Sequence, residues 1–168
     1  MPANSPIYSF RWASTGMVAL ISHIRMAAWT VTAFSGGLAT FDLFAARSFT
    51  AADGGGLTAN LAGENNQLRT SMASGAASIG WSNTNALTPG TRVLDGAPLD
   101  SRTFTAPTTD NTPFPADQFT LFYKPQGEYP LYLAANEGFV IRASVPSSTS
   151  TWQFAVTLEW AELLPGNF

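Results

Sequence analysis

Residues 151–162 read T-W-Q-F-A-V-T-L-E-W-A-E. Trp152, Phe154, Val156, Leu158 and Trp160 fall on one parity. Gln153, Ala155, Thr157, Glu159 and Ala161 fall on the other. A repeat of two is the period of a strand with one buried face and one wetter face. The segment therefore commits the chain to a sheet, and it carries no chemistry of its own.

The same logic extends along the chain. Residues 1–6, with Pro2 and Pro6, oppose helix and read as an extended arm. Tyr8, Phe10 and Trp12 then alternate. Residues 17–34 fit a helical stripe through Met17, Leu20, Ile21, Ile24 and Ala28. They also fit a strand whose parity slips near Ala27–Ala28, as a β-bulge would cause. The strand-forming run W-T-V-T and the Ser35-Gly36-Gly37 turn favour a long bulged strand. Further strands are expected over 40–49, 78–82, 91–95, 119–124, 130–134, 139–145 and 151–162. Residues 57–76 read as a long polar loop or a short helix, and 97–117 as a connection rich in Pro, Thr and Asp. Eight to ten short strands separated by turn residues predict an all-β antiparallel sandwich, jelly-roll-like, formed by residues 1–168 as one domain. An N-terminal arm (1–6) and a C-terminal tail (163–168) flank it.

Composition narrows the function classes. The chain has 168 residues, 45% hydrophobic and 12% aromatic, which opposes disorder. Only 11% are charged, against roughly 25% in an average soluble domain. Free monomers use charge for solubility, and interface cores are depleted of it, so the deficit points to an assembly. With a net charge of −3, one lysine (Lys124) and no basic patch, nucleic acid is a poor partner. The absence of cysteine excludes disulfides and thiol chemistry. The N-terminus has no signal-peptide pattern, and His23 and Arg25 interrupt the apolar run at 17–34, so no membrane span is expected.

Few residues suggest catalysis. His23 is the sole histidine and has no nucleophile motif beside it, so it reads as the polar side of a strand. Asp53-Gly54-Gly55-Gly56 lacks the Lys-Ser/Thr of a phosphate loop and reads as a flexible turn. The pairs Asp95/Asp100, Asp110/Asp117 and Glu159/Glu162 would serve a glycosidase only if both carboxyls faced one cleft. No catalytic, metal or cofactor residue is assigned.

The aromatic residues and the termini are better candidates, as contact surface. Trp12, Trp152 and Trp160 fall on apolar parities and read as core. Trp81, flanked by Gly80 and by Ser82-Asn83-Thr84-Asn85, is the best candidate for an interface aromatic. Tyr8 behind the arm, and Leu163, Leu164 and Phe168 in the apolar tail, complete the set of interface candidates.

Three stretches together resemble small structural proteins of tailed-bacteriophage virions: F-R-W-A-S-T, then S-F-T-A-A-D-G-G-G with N-N-Q-L-R-T-S-M, and E-Y-P-L-Y-L-A-A-N-E-G-F-V-I-R with the final strand. The resemblance implies a β-sandwich that decorates or cements a capsid, commonly as a trimer. Its partner would be the major capsid protein, its place the virion surface after assembly in the host cytoplasm, and it would need neither cofactor nor catalysis. A neck, tail or fibre component is the alternative from the same class. A carbohydrate-binding module using Trp81 is the alternative from another.

Overall fold

The computed structural model describes residues 4–59, 61, 76–115, 117–124, 128, 130–146 and 149–166. Eleven strands run through them: β1 (Ser5–Trp12), β2 (Val18–Thr32), β3 (Leu38–Arg47), β4 (Leu57–Thr58), β5 (Ala77–Trp81), β6 (Val93–Leu94), β7 (Asp100–Thr105), β8 (Phe119–Tyr123), β9 (Leu131–Leu133), β10 (Glu137–Ser144) and β11 (Thr151–Leu163). They form two antiparallel sheets. The larger has the order β4-β5-β1-β10-β3-β6, with β7 also on β3. The smaller has the order β11-β2-β8, with β9 also on β2.

The pairs β1–β10, β2–β8/β9 and β3–β7 are nested, and successive pairs lie in opposite sheets. Rolling one long antiparallel ribbon over on itself gives this nesting, so the sandwich is jelly-roll-like. β5 then extends the free edge of β1, and β11 extends that of β2.

Within residues 17–34, Val18–Thr32 is a strand, as the β-branched and aromatic half suggests, but the parity changes elsewhere than expected. Ala19 and Ile21 point into the core, and so do Ile24, Met26, Ala28 and Thr30. The extra residue is Ser22, between the pairs Ile21↔Trp160 and His23↔Glu159. A second irregularity falls at Val31, between Thr30↔Trp152 and Thr32↔Thr151. Ala27–Ala28 carries no slip. The buried polar Thr30 disguises the pattern: its Oγ1 donates to the carbonyls of Thr109 and Thr112, 3.1 Å each, and accepts from the Thr112 N–H. Those bonds make its burial tolerable.

The core lies between the sheets. Phe10 and Phe139 stack with centroids 5.4 Å apart and planes 4° from parallel. Phe41 of the larger sheet meets Phe119 and Trp152 of the smaller at 5.4 and 5.9 Å. Each fully buried side chain of this size contributes about 1.5–3 kcal/mol. The close packing needs Gly138, whose absent Cβ would lie 2.0 Å from the Phe10 carbonyl oxygen and 2.9 Å from the Phe49 ring.

Two expected connections contain strands. Residues 100–105 pair with β3, and 57–58 with β5. Both are short outer strands with largely exposed side chains, which hides them from a hydrophobic period. Residues 60 and 62–75 of the expected long loop lie outside the described residues. Of the expected arm 1–6, Ser5 and Pro6 already pair with Ala143 and Arg142, and residues 1–3 lie outside the described residues. The tail is likewise shorter, since Leu163 pairs with Val18.

Candidate functional site

Most of the polar residues that could have carried chemistry are engaged in ion pairs or hydrogen bonds within this chain. Glu159 accepts from Arg25 Nη2 at 3.0 Å and lies 3.8 Å from His23 Nδ1. The imidazole packs 4.9 Å from the Tyr123 ring, on the outer face of the smaller sheet, as the polar parity of its strand predicts. Asp95 meets Arg47, Asp100 meets Arg102, and Asp110 accepts from the Ala33 N–H at 2.6 Å. Among the described residues, no group of three or more His, Asp or Glu side chains is placed to hold a metal ion.

The Asp53-Gly54-Gly55-Gly56 turn is pinned. Asp53 is buried, and its carboxylate accepts from the Gly90 N–H and from Arg92 Nε, both at 2.8 Å, and from Arg92 Nη2 at 3.0 Å. Gly54 and Thr88 exchange backbone hydrogen bonds of 2.9 and 2.8 Å. At Gly56 a Cβ would meet the Trp81 carbonyl oxygen at 2.2 Å, so the turn packs directly on the end of β5.

The interface candidates divide by position. Tyr8 is 7% exposed and stacks on Phe139 at 6.1 Å, so its ring belongs to the core of this chain. Trp81 ends β5 opposite Tyr8 and Leu57 and stays half-buried. Leu163 closes β11, half-buried, and Leu164 beyond it is 60% exposed. Phe168 lies outside the described residues.

Leu163 and Leu164 have neighbours that the sequence did not single out. Pairing sets Leu20 opposite Ala161 on one side and Tyr132 on the other. Ala19, Ile21 and Leu133 point inward, so the alternate residues Leu20, Tyr132 and Ala161 share the outer face, and Leu163 follows in the same row. Tyr132 is 42% exposed. One end of the smaller sheet thus presents a small apolar outer surface, and the exposed Leu164 follows just beyond the end of β11. Such a surface on a solvent-side sheet face is a candidate contact surface. The signal available in the sequence was the odd apolar Leu20 beside Ser22 and His23, once Ser22 is recognised as the bulge.

No protein-family model, curated protein or solved structure matches this chain.

Proposed function

We propose that this protein is a non-enzymatic structural component of a tailed-phage virion, a decoration protein that binds the major capsid subunits and stiffens the shell. The observation that carries the reading is the apolar outer surface of Leu20, Tyr132, Ala161, Leu163 and Leu164 at one end of the smaller sheet. In a chain of only 11% charged residues, such a face suits burial against a neighbour. The jelly-roll-like sandwich and the resemblance of its N-terminal, central and C-terminal segments to virion proteins support the same reading. A trimer fits the local threefold positions of a capsid lattice, since symmetric copies present matching contacts to symmetric surroundings. Binding to assembled capsid, and not to its dissociated subunits, stabilises the shell by linkage.

Copy number per purified virion, measured by quantitative mass spectrometry against the major capsid protein, tests this. A ratio near one supports decoration over the whole shell. A handful of copies moves the protein to the neck, tail or fibre. Absence from the particle overturns the virion reading.

A further inference from the structure

Edge strands carry a row of unpaired backbone N–H and C=O groups. Folded chains blunt such rows by shortness, bulges, proline, charge or a covering element. Most outer strands here follow that rule. β4 and β6 have two residues each, and β9 has three. β8 has five, and its Thr120 carbonyl accepts from Arg102 Nε at 3.1 Å. β7 has six, among them the charged Asp100 and Arg102.

β11 is the exception. It runs for 13 residues and pairs with β2 on one side. Among the described residues no strand pairs with its other side. It contains no proline, lysine or arginine. Both irregularities of its ladder fall on β2, at Ser22 and Val31, so β11 itself is regular throughout. Its inward row of Trp152, Phe154, Val156, Leu158 and Trp160 stays half-buried, whereas Ile21, Ile24 and Met26 of β2 are fully buried. The sandwich therefore covers β11 less completely than its neighbour.

We infer that β11 pairs antiparallel with β11 of a second copy, across a twofold axis at Thr157. An added strand must match this edge in length, regularity and alternation, and β11 has all three properties itself. Side chains alternate with a period of two. An axis centred on a residue therefore sets inward residues opposite inward ones, and an axis between residues does not. The axis at Thr157 pairs all 13 residues of the strand. It sets Phe154 opposite the second copy's Trp160 and Val156 opposite its Leu158, which are favourable cross-strand pairs. The only charged residues of β11, Glu159 and Glu162, face Ala155 and Trp152, so like charges do not meet. The contact is isologous, the commonest arrangement of two identical chains. It does not rest on the virion reading. It is compatible with a trimer at threefold positions, because twofold axes lie between neighbouring threefold positions of a closed lattice.

The test is sedimentation velocity of the full chain at concentrations up to about 100 μM, which detects micromolar self-association. The wild-type protein forms dimers. Thr157→Lys sets two cations opposite each other on the axis and weakens the dimer about fivefold or more, while its circular dichroism stays that of wild type. The chain has no cysteine, so single cysteines report the register. Thr157→Cys brings two Cα atoms to about 4.5–5.5 Å, within disulfide range, and gives covalent dimers under mild oxidation. Gln153→Cys lies on the same face, but its two copies are about eight residue spacings apart, roughly 27 Å, and it does not link. The proposal is overturned by a wild-type chain that stays monomeric or forms only trimers, by Thr157→Lys dimerising as tightly as wild type, or by Gln153→Cys linking as readily as Thr157→Cys. Protection of the β11 amides from hydrogen exchange only after capsid is added would also overturn it, and would give this edge to a capsid strand.

Discussion

Arg92 grips Asp53 with two guanidinium nitrogens, Nε at 2.8 Å and Nη2 at 3.0 Å, and both side chains are almost wholly removed from solvent, at 3% and 0% exposure. The guanidinium also lies 5.7 Å from the centre of the Phe49 ring. The pair ties the glycine turn after β3 to the segment leading into β6. Breaking such a pair strands one charge in the interior, at a cost of about 3–5 kcal/mol. Asp53→Ala and Arg92→Ala are each expected to lose that much in urea unfolding. Asp53→Ala with Arg92→Ala together loses less than the sum, yet not zero, because the Gly90 N–H loses its acceptor. Additive losses would show that the two residues are not coupled.

Glu162 turns toward the core from the edge strand β11, with Oε1 accepting from Trp160 Nε1 at 3.3 Å and Oε2 buried without a partner among the described residues. Burial pushes its carboxyl above the usual carboxylate range, and the Trp160 hydrogen bond partly opposes this. The folded state then holds a proton at pH values where the unfolded chain has released it. The resulting stability is complete below the ordinary carboxylate pKa of about 4.3 and is lost as pH rises through the raised value. Glu162→Gln keeps an oxygen for Trp160 and removes the charge. It should unfold at a higher temperature than wild type at neutral pH, with the difference closing toward acid. A difference that grows on acidification would contradict the assignment.

Tyr8 makes the alkaline counterpart. Its ring is buried against Phe139, and burial pushes its hydroxyl well above the ordinary tyrosine value of about 10. The folded state keeps the proton that the unfolded chain releases, so this contribution is full below about pH 10 and declines above it. Comparing wild type with Tyr8→Phe in urea between about pH 8 and 11 isolates the term. The wild-type protein should lose stability more steeply over the upper part of that range. Parallel curves would mean that the Tyr8 hydroxyl is reached by solvent.

The parts of the fold that were legible in the sequence are those where burial follows a strict period of two. β11 is the clearest case, because each inward residue from Trp152 to Leu158 faces an inward residue of β2. β2 was legible as a strand, but its slip was misplaced, because apolar Leu20 lies on the outer face and polar Thr30 on the inner one. β7 was invisible: Asp100, Ser101, Arg102 and Thr103 show no apolar alternation, and the strand is held by its ladder to β3, the Asp100–Arg102 pair and the Ser101 bond to Asp42. The Asp53–Arg92 grip was equally hidden, since partners 39 residues apart leave no local pattern. Of the interface candidates, Leu163 and Leu164 gained neighbours only through register, which a single sequence does not fix.

Those neighbours make the docking face testable. Leu20 and Leu164 lie on the solvent side, so replacing them costs the isolated chain little. Leu164→Asp and Leu20→Lys are each expected to shift stability by no more than about 0.5–1 kcal/mol. Against a partner surface the same changes bury a charge or lose apolar contact, which costs severalfold more. Capsids stripped of the protein and re-incubated with each variant should then retain wild-type amounts of an outer-face control such as Gln153→Ser and much less of the patch variants. Removing residues 164–168 should act in the same direction while leaving β11 intact, since its last paired residue is Leu163. Equal retention of all variants would show that the capsid is met by a different surface, and would leave the apolar end of the smaller sheet to contacts between copies of this chain.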